Sequence, residues 1–267
     1  MSTTLRARSA APPAAPPVPP APGWAAAAAA VYAGQLARAR AARGPLLLVA
    51  TLQSVGLLVL LRGIVSATDE LTKEQIVAGS TVLVVAFVAL NLLAQRFGML
   101  RGTGALDYYG ALPVAPSAVV LGTAASYATF TLPGSVVTAL AGVALYQLPV
   151  APLALLPAVV VLAGAALAGL GAALGLLLPR AELATLAGQL GMSAVIFLDL
   201  VPAARLPWPV QALRAAVPST YAADALAGAF RPHPHWWTIA ADLGACAAVA
   251  VATLALAAVA FRRAVRR

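Results

Sequence analysis

Residues 96–122 read RFGMLRGTGALDYYGALPVAPSAVVLG and separate two apolar runs, each long enough to cross a bilayer. A simple hairpin between membrane helices needs only a few residues, whereas about twenty lie between these runs. The stretch is polar, contains several glycines and has a single acid, Asp107, followed directly by Tyr108 and Tyr109. It therefore predicts a structured connection on one side of a membrane domain.

Charge and proline mark the two ends of this connection. Arg96 and Arg101 stand at the end of the first run, and Pro113 and Pro116 stand just before the second. Because glycines and prolines interrupt helices, the pattern predicts a short separate helix over roughly residues 104–112, lying along the membrane surface. The alternative is an ordinary basic loop that only fixes the topology.

The composition places the whole chain in a membrane. Of the 267 residues, 62% are hydrophobic and 9% are charged, and the mean hydropathy is +0.91, whereas soluble domains carry about 25% charged residues. Six apolar runs are long enough to span, at residues 45–61, 76–94, 118–146, 153–178, 183–201 and 236–261. They are continuous rather than alternating, which excludes a β-barrel. The predicted fold is an all-α integral membrane protein with six transmembrane helices.

The basic residues indicate an orientation. If both termini are cytoplasmic, twelve of the 17 basic residues lie inside and five lie outside, in agreement with the positive-inside rule. The five outside are Arg62, Lys73, Arg205, Arg214 and Arg231. The net charge of +9 therefore reflects topology. Because the arginines are dispersed at helix ends, we expect no nucleic-acid partner.

The N-terminal part divides into a tail and a helix. Residues 1–23 contain APPAAPPVPPAP, which favours extended polyproline conformations and predicts a disordered cytoplasmic tail. The alanine-rich residues 24–43 predict a helix at the membrane interface, with Trp24 and Tyr32 towards lipid and Arg43 towards headgroups. Residues 24–267 then form a single six-helix transmembrane domain.

A second informative region precedes the last apolar run. Residues 202–230 read PAARLPWPVQALRAAVPSTYAADALAGAF, which proline interrupts too often for a span and which is too apolar for a free loop. We expect it to be partly embedded.

Three ionisable side chains follow this region. His233 and His235 could suggest a metal site, but they have no neighbouring cluster of acids or cysteines, and a loop entering the membrane beside two tryptophans is the favoured interpretation. Asp242 stands inside the last run, where an acid is a functional hypothesis by default, yet near enough to the interface to reach water or Arg231.

The connection at 96–122 resembles the first cytoplasmic loop of type-2 ABC exporter permeases. That loop has the pattern R, two or three residues, GT or GA, L, an acid, a few residues, LP and a small polar residue. The matching residues here are Arg101, Gly102, Thr103, Leu106, Asp107, Leu112, Pro113 and Ser117. The resemblance implies a cytoplasmic coupling helix that contacts an ATPase. Its implied coupling residues are Arg101, Leu106, Asp107, Tyr108 and Tyr109.

Residues 202–230 resemble the same family more strongly. Permeases of this family carry LP, W, then P, TY and a short DAL segment before the last span. The matching residues here are Leu206, Pro207, Trp208, Pro218, Thr220, Tyr221, Asp224, Ala225 and Leu226. In the family they build short re-entrant helices at the external face. The implied external motif comprises Pro207, Trp208, Pro218, Tyr221 and Asp224.

The resemblance implies the permease half of an ATP-driven exporter, which forms the translocation path as a dimer. A separate nucleotide-binding ATPase subunit, a second permease copy and the lipid bilayer are the implied partners. The chain has no G-x-x-x-x-G-K-[ST] loop, and its only lysine is Lys73. We therefore expect no catalytic residue, no metal and no cofactor on this chain, with ATP bound by the partner. The heavy use of Ala, Gly, Pro and Arg is typical of a GC-rich bacterial genome. We therefore expect the protein in the bacterial cytoplasmic membrane, with both termini cytoplasmic.

Two other classes remain as alternatives. A secondary transporter commonly shows inverted repeats and charged groups near the bilayer midplane, and neither is visible here. An intramembrane enzyme would need clustered catalytic groups on facing spans, whereas both histidines lie in one loop. Nothing in the apolar runs selects a cargo.

Overall fold

The computed structural model describes residues 23–38, 43–64, 70–112 and 114–265, and within these ranges the chain forms helices and turns without strands. The predicted tail therefore lies outside the described residues, apart from Gly23. The all-α fold expected from the hydropathy is confirmed.

The first part of the chain forms α1 (Trp24–Arg38), α2 (Arg43–Ile64), α3 (Glu70–Val85), α4 (Leu93–Gly102) and α5 (Leu106–Ala111). A π-helical stretch, Ala86–Leu92, joins α3 to α4 into one long helical element. The second part forms α6 (Pro116–Tyr146), α7 (Leu156–Leu177), α8 (Ala181–Asp199), α9 (Trp208–Ala215), α10 (Pro218–Phe230) and α11 (Trp236–Val265).

Five helical stretches within the described ranges are long and apolar enough to cross a membrane. They are Thr72–Gly102, Pro116–Tyr146, Ala151–Leu177, Ala181–Asp199 and Trp236–Val265. The first predicted run, 45–61, corresponds to α2, whose apolar stretch Leu47–Gly63 is shorter than the other five. The protein is thus a multi-pass membrane protein, and the six-span topology stays a prediction.

Helix α7 lies in the middle of the bundle and packs against α4, α6, α10 and α11. Two glycines on α7 allow the backbones to approach. A Cβ at Gly171 would lie 2.5 Å from the Leu90 carbonyl oxygen, and one at Gly175 would lie 2.6 Å from that of Ala94. Both distances are too short for any side chain, so the small-residue spacing of α7 serves helix packing.

Helix α1 packs along the first half of α6. The Trp24 indole Nε1 donates a hydrogen bond to the Ser117 hydroxyl at 3.0 Å, and the Tyr32 and Thr129 hydroxyls share one at 3.2 Å. The predicted N-terminal helix is therefore present and attached to the bundle by polar contacts. Its position at the membrane interface stays a prediction.

Candidate functional site

The short helix α5 follows a tight turn at the end of α4. The Thr103 hydroxyl donates to the Met99 carbonyl at 2.8 Å, and Gly104 adopts a positive φ of 72°, which favours glycine. The chain leaves α5 at Leu112 with extended backbone, as expected for a residue that precedes proline. The helix predicted for 104–112 is confirmed, with bounds Leu106–Ala111.

Contacts with the last residues of α1 and α11 hold α5 on the bundle. Leu106 is buried in the core, and Gly110 lies so close to Val265 of α11 that an added Cβ would collide with it. The Tyr109 hydroxyl accepts a hydrogen bond from Arg38, the last residue of α1, at 3.2 Å. The ends of α1 and α11 therefore lie at the same end of the bundle as α5.

The opposite side of α5 is open. Tyr108 is 64% exposed, and its ring contacts the Tyr109 ring edge-on with centroids 5.8 Å apart. Asp107 is exposed in the first turn and forms no ion pair within the described residues. The open side thus presents one carboxylate beside an aromatic surface.

Arg101 is directed away from this open side. Its Nη1 donates to the carbonyls of Leu176 and Leu178 at 2.7 and 2.6 Å. These carbonyls end α7, where the last groups of a helix lack partners within it. Arg101 therefore attaches α4 to the end of α7. The coupling role that the family resemblance implies for Arg101 stays a prediction.

The second region forms two short helices, where the family resemblance implied short re-entrant helices; their position in the membrane stays a prediction. Pro207 and Trp208 open α9, where Trp208 is 80% exposed, and the buried Pro218 opens α10. The Tyr221 hydroxyl donates to the Ala215 carbonyl at 2.7 Å, which closes the turn between the helices. Ten of the 13 residues of α10 are buried. Helix α10 is therefore packed into the protein, while α9 remains near its surface.

A buried arginine joins α9 to its neighbours. Arg214 is 4% exposed and forms a bidentate ion pair with Asp224 of α10, with Nη1 2.8 Å from Oδ2. Its Nε donates to the Leu198 carbonyl near the end of α8, also at 2.8 Å. The planar guanidinium group thus connects three helices through one side chain.

Gln75 of α3 extends this network. Its Nε2 donates to the Asp199 carbonyl at 2.8 Å and to Asp224 Oδ1 at 3.2 Å. The Thr220 hydroxyl donates to the Arg214 carbonyl at 2.9 Å. Four helices, α3, α8, α9 and α10, are therefore linked by buried polar contacts centred on Asp224.

Asp199 lies beside this network without joining it through its carboxyl group. The side chain is fully buried, and among the described residues neither carboxyl oxygen has a hydrogen-bond partner. The Ser219 hydroxyl lies beside Asp199, which is also within electrostatic range of Arg214 and Asp224, but this hydroxyl likewise has no hydrogen-bond partner among the described residues.

A cavity of about 390 Å³ opens next to the network, between α3, α10 and the start of α11. Its polar lining comprises Glu74, Gln75, Asp224, Arg231, His235, Thr238 and Asp242. Arg231 lies with its Nε 3.8 Å from Glu74 Oε2. The sequence offered Arg231 as a neighbour for Asp242. The structure pairs it with Glu74, and Asp242 lines the same cavity.

Reasoning from the sequence found Asp224 but missed its partners. Gln75, Asp199 and Arg214 come from three different elements, and no local spacing connects them. From the sequence, Arg214 was used only as one of the basic residues that indicate the orientation of the helices. Within the described residues, no group of three or more His, Cys, Asp or Glu side chains is arranged to hold a metal ion.

The helices and these two sites define a multi-pass membrane protein with short accessory helices at opposite ends of a bundle. Residues 31–230 match the ABC-2 type transporter family. This match covers well over half of the 267 residues, and the chain belongs to that family. The matched range includes α5, α9 and α10. Membership of this family makes the protein a transporter membrane domain. No curated protein matches the chain.

Proposed function

We propose that this chain is the permease subunit of an ATP-driven exporter, and that it forms the translocation path as a dimer coupled to a separate ATPase. The observation that supports this most directly is α5. It is a six-residue helix held rigidly on the bundle by Leu106 and Val265. It presents Asp107 and Tyr108 outward.

This arrangement suits a protein partner that pushes on the membrane domain. An exposed aromatic ring beside a carboxylate gives an apolar anchor and a charge for orientation. Because α5 contacts both α1 and α11, a displacement of α5 would be transmitted to both chain ends. The ATPase would then offer a basic side chain to Asp107 and an apolar pocket to Tyr108.

The exposed side chains of α8 favour a contact with a second permease copy. Leu186, Leu190 and Phe197 recur at helical spacing and are exposed, with Leu190 71% exposed. Gln189 is also exposed near the middle of this apolar helix. A polar amide facing hydrocarbon is unfavourable, whereas a facing helix or an aqueous path would satisfy it. We propose that α8 faces the other permease copy across the path.

Both termini would be cytoplasmic in the bacterial cytoplasmic membrane. The contacts of Arg38 with Tyr109 and of Val265 with Gly110 support one side for both chain ends. Arg262 and Arg263 in the last turn of α11 add positive charge to that same end.

Purification of the tagged chain from native membranes in a mild detergent tests the proposal. We expect a soluble ATPase to co-purify in equal amount with the permease, and the complex to hydrolyse ATP. Chemical crosslinking through a cysteine replacing Leu190 should give a permease dimer. A chain that transports its cargo in vesicles without any bound ATPase would contradict the proposal and favour a secondary transporter.

A further inference from the structure

The cavity between α3, α10 and α11 has the size of a small-molecule site. Its volume of about 390 Å³ falls within the range of about 300–1,000 Å³ that ligand pockets occupy. Ala203, Ala227 and Ile239 supply apolar wall beside the polar side chains. The cavity lies at the start of α11 and reaches Asp242, whereas α5 contacts the last residue of α11, so about 35 Å of helix separates the two.

The charges around the cavity do not balance. Glu74 faces Arg231, and Asp224 is paired with Arg214, so two carboxylates each have a guanidinium partner. Asp242 also lines the cavity, and within the described residues it forms neither an ion pair nor a hydrogen bond. Among these five side chains the carboxylates outnumber the guanidinium groups by one, and Arg231 and Arg214 also lie within electrostatic range of Asp242.

A hydrogen-bond acceptor also lacks a partner there. Gln75 lines the cavity while only 4% of its surface is exposed. Its Nε2 donates to the Asp199 carbonyl and to Asp224, which fixes the direction of the amide. No described residue donates to its Oε1, and this atom is not sealed in the protein interior. A donor for Oε1 must therefore come from the cavity.

We propose that this cavity binds a small organic cation carrying one ammonium group, with Asp242 as the counter-ion and Gln75 Oε1 as a hydrogen-bond acceptor. One positive charge neutralises the excess, and N–H groups satisfy both acceptors. The apolar part of the ligand rests on Ala227 and Ile239. A divalent metal fits less well, because the described acids and histidines form no group of three around one point. The site is independent of the ATPase coupling proposed above, since binding requires only this chain.

Calorimetric titration of the full chain in phosphatidylcholine nanodiscs, with empty nanodiscs as the blank, tests this site. The probes are phenethylammonium and its neutral analogue 2-phenylethanol. We expect saturable binding of the ammonium and only bilayer partitioning of the alcohol. Asp242→Asn should weaken ammonium binding about tenfold or more, which corresponds to about 1.4 kcal/mol. Asp242→Glu should retain most of it.

The control is Glu182→Gln, the same loss of charge at the exposed start of α8, which should leave binding unchanged. If Asp242→Asn does not fold, Thr238→Arg places a positive charge on an exposed residue of the cavity and should abolish binding. Equal binding of the two probes, or equal ammonium affinity in wild type and Asp242→Asn, overturns the proposal. Neither result affects co-purification with an ATPase, which tests the exporter assignment separately.

Discussion

At the scale of single residues, Arg214 has contacts that no other basic side chain can reproduce. The guanidinium group reaches Asp224 with two nitrogens and the Leu198 carbonyl with the third. A lysine ammonium has one nitrogen, so it can satisfy one of these directions well but not both. The residue therefore determines how α9 and α10 sit against α8.

Replacement of this arginine should destabilise the fold. Arg214→Ala leaves Asp224 without its ion-pair partner. Removing one partner of a buried pair costs about 3–5 kcal/mol, and we expect about 2–3 kcal/mol here because Asp224 is one-third exposed. Arg214→Lys should lose less. The measurement is unfolding of the purified protein in mixed detergent micelles, with Arg262→Lys on the exposed end of α11 as the control.

The double replacement Arg214→Ala/Asp224→Ala makes this test specific. It removes the uncompensated carboxylate as well, so its cost should be smaller than the sum of the two single replacements. Strict additivity would show that the two side chains are not coupled in stability.

Asp107 gives the second prediction at this scale. Asp107→Arg changes an exposed side chain, so the permease should fold and insert normally. It would present like charge to a basic group on the ATPase, and we expect the co-purified ATPase to fall about tenfold, equivalent to about 1.4 kcal/mol. Asp107→Glu, which keeps the charge, should retain the ATPase. Normal assembly and transport in the arginine variant would exclude Asp107 from the contact.

At the scale of elements, helix packing depends on how closely α7 approaches the π-helical stretch and α4. Gly171→Ala would place a methyl group 2.5 Å from the Leu90 carbonyl oxygen, a backbone atom that cannot rotate away. We expect a loss of at least about 2 kcal/mol in unfolding free energy, since overpacking costs about 1–3 kcal/mol.

Gly56 of α2 provides the matched comparison for this change. No atom of the described residues lies within 4 Å of a Cβ at that position. Gly56→Ala should therefore be neutral or slightly stabilising, because alanine favours a helix by about 0.5–1 kcal/mol over glycine. Equal effects of the two replacements would show that close packing at Gly171 is unimportant.

The elements also show what the sequence could predict. Long apolar runs indicate helices because every backbone polar group in lipid must bond internally. Glycine and proline marked α5, α9 and α10, because these residues act through local backbone geometry. The contacts of Gln75 and Arg214 were not predictable, since residues up to 149 positions apart meet only after the helices pack. Arg231 lies within electrostatic range of Asp242, as the sequence position of Asp242 suggested, but the ion pair of Arg231 is with Glu74.

At the scale of the whole molecule, the two sites lie at opposite ends of one bundle. One end holds α5 together with the ends of α1 and α11, where Arg38, Arg262 and Arg263 concentrate positive charge. The other end holds the cavity, where the three carboxylates of Glu74, Asp224 and Asp242 lie with two arginines, Arg214 and Arg231. This polarity agrees with the positive-inside rule if the α5 end is cytoplasmic.

This polarity predicts the outcome of cysteine labelling in intact cells. The only natural cysteine, Cys246, is buried and is first replaced by alanine. A cysteine replacing Thr68, which precedes α3, should react with a membrane-impermeant maleimide from outside. A cysteine replacing the exposed Thr103, between α4 and α5, should react only after permeabilisation. The cysteine-free protein gives the background in both conditions. Labelling of position 103 from outside would reverse the orientation. It would also remove the basis for the proposed ATPase at α5, because ATP is found in the cytoplasm.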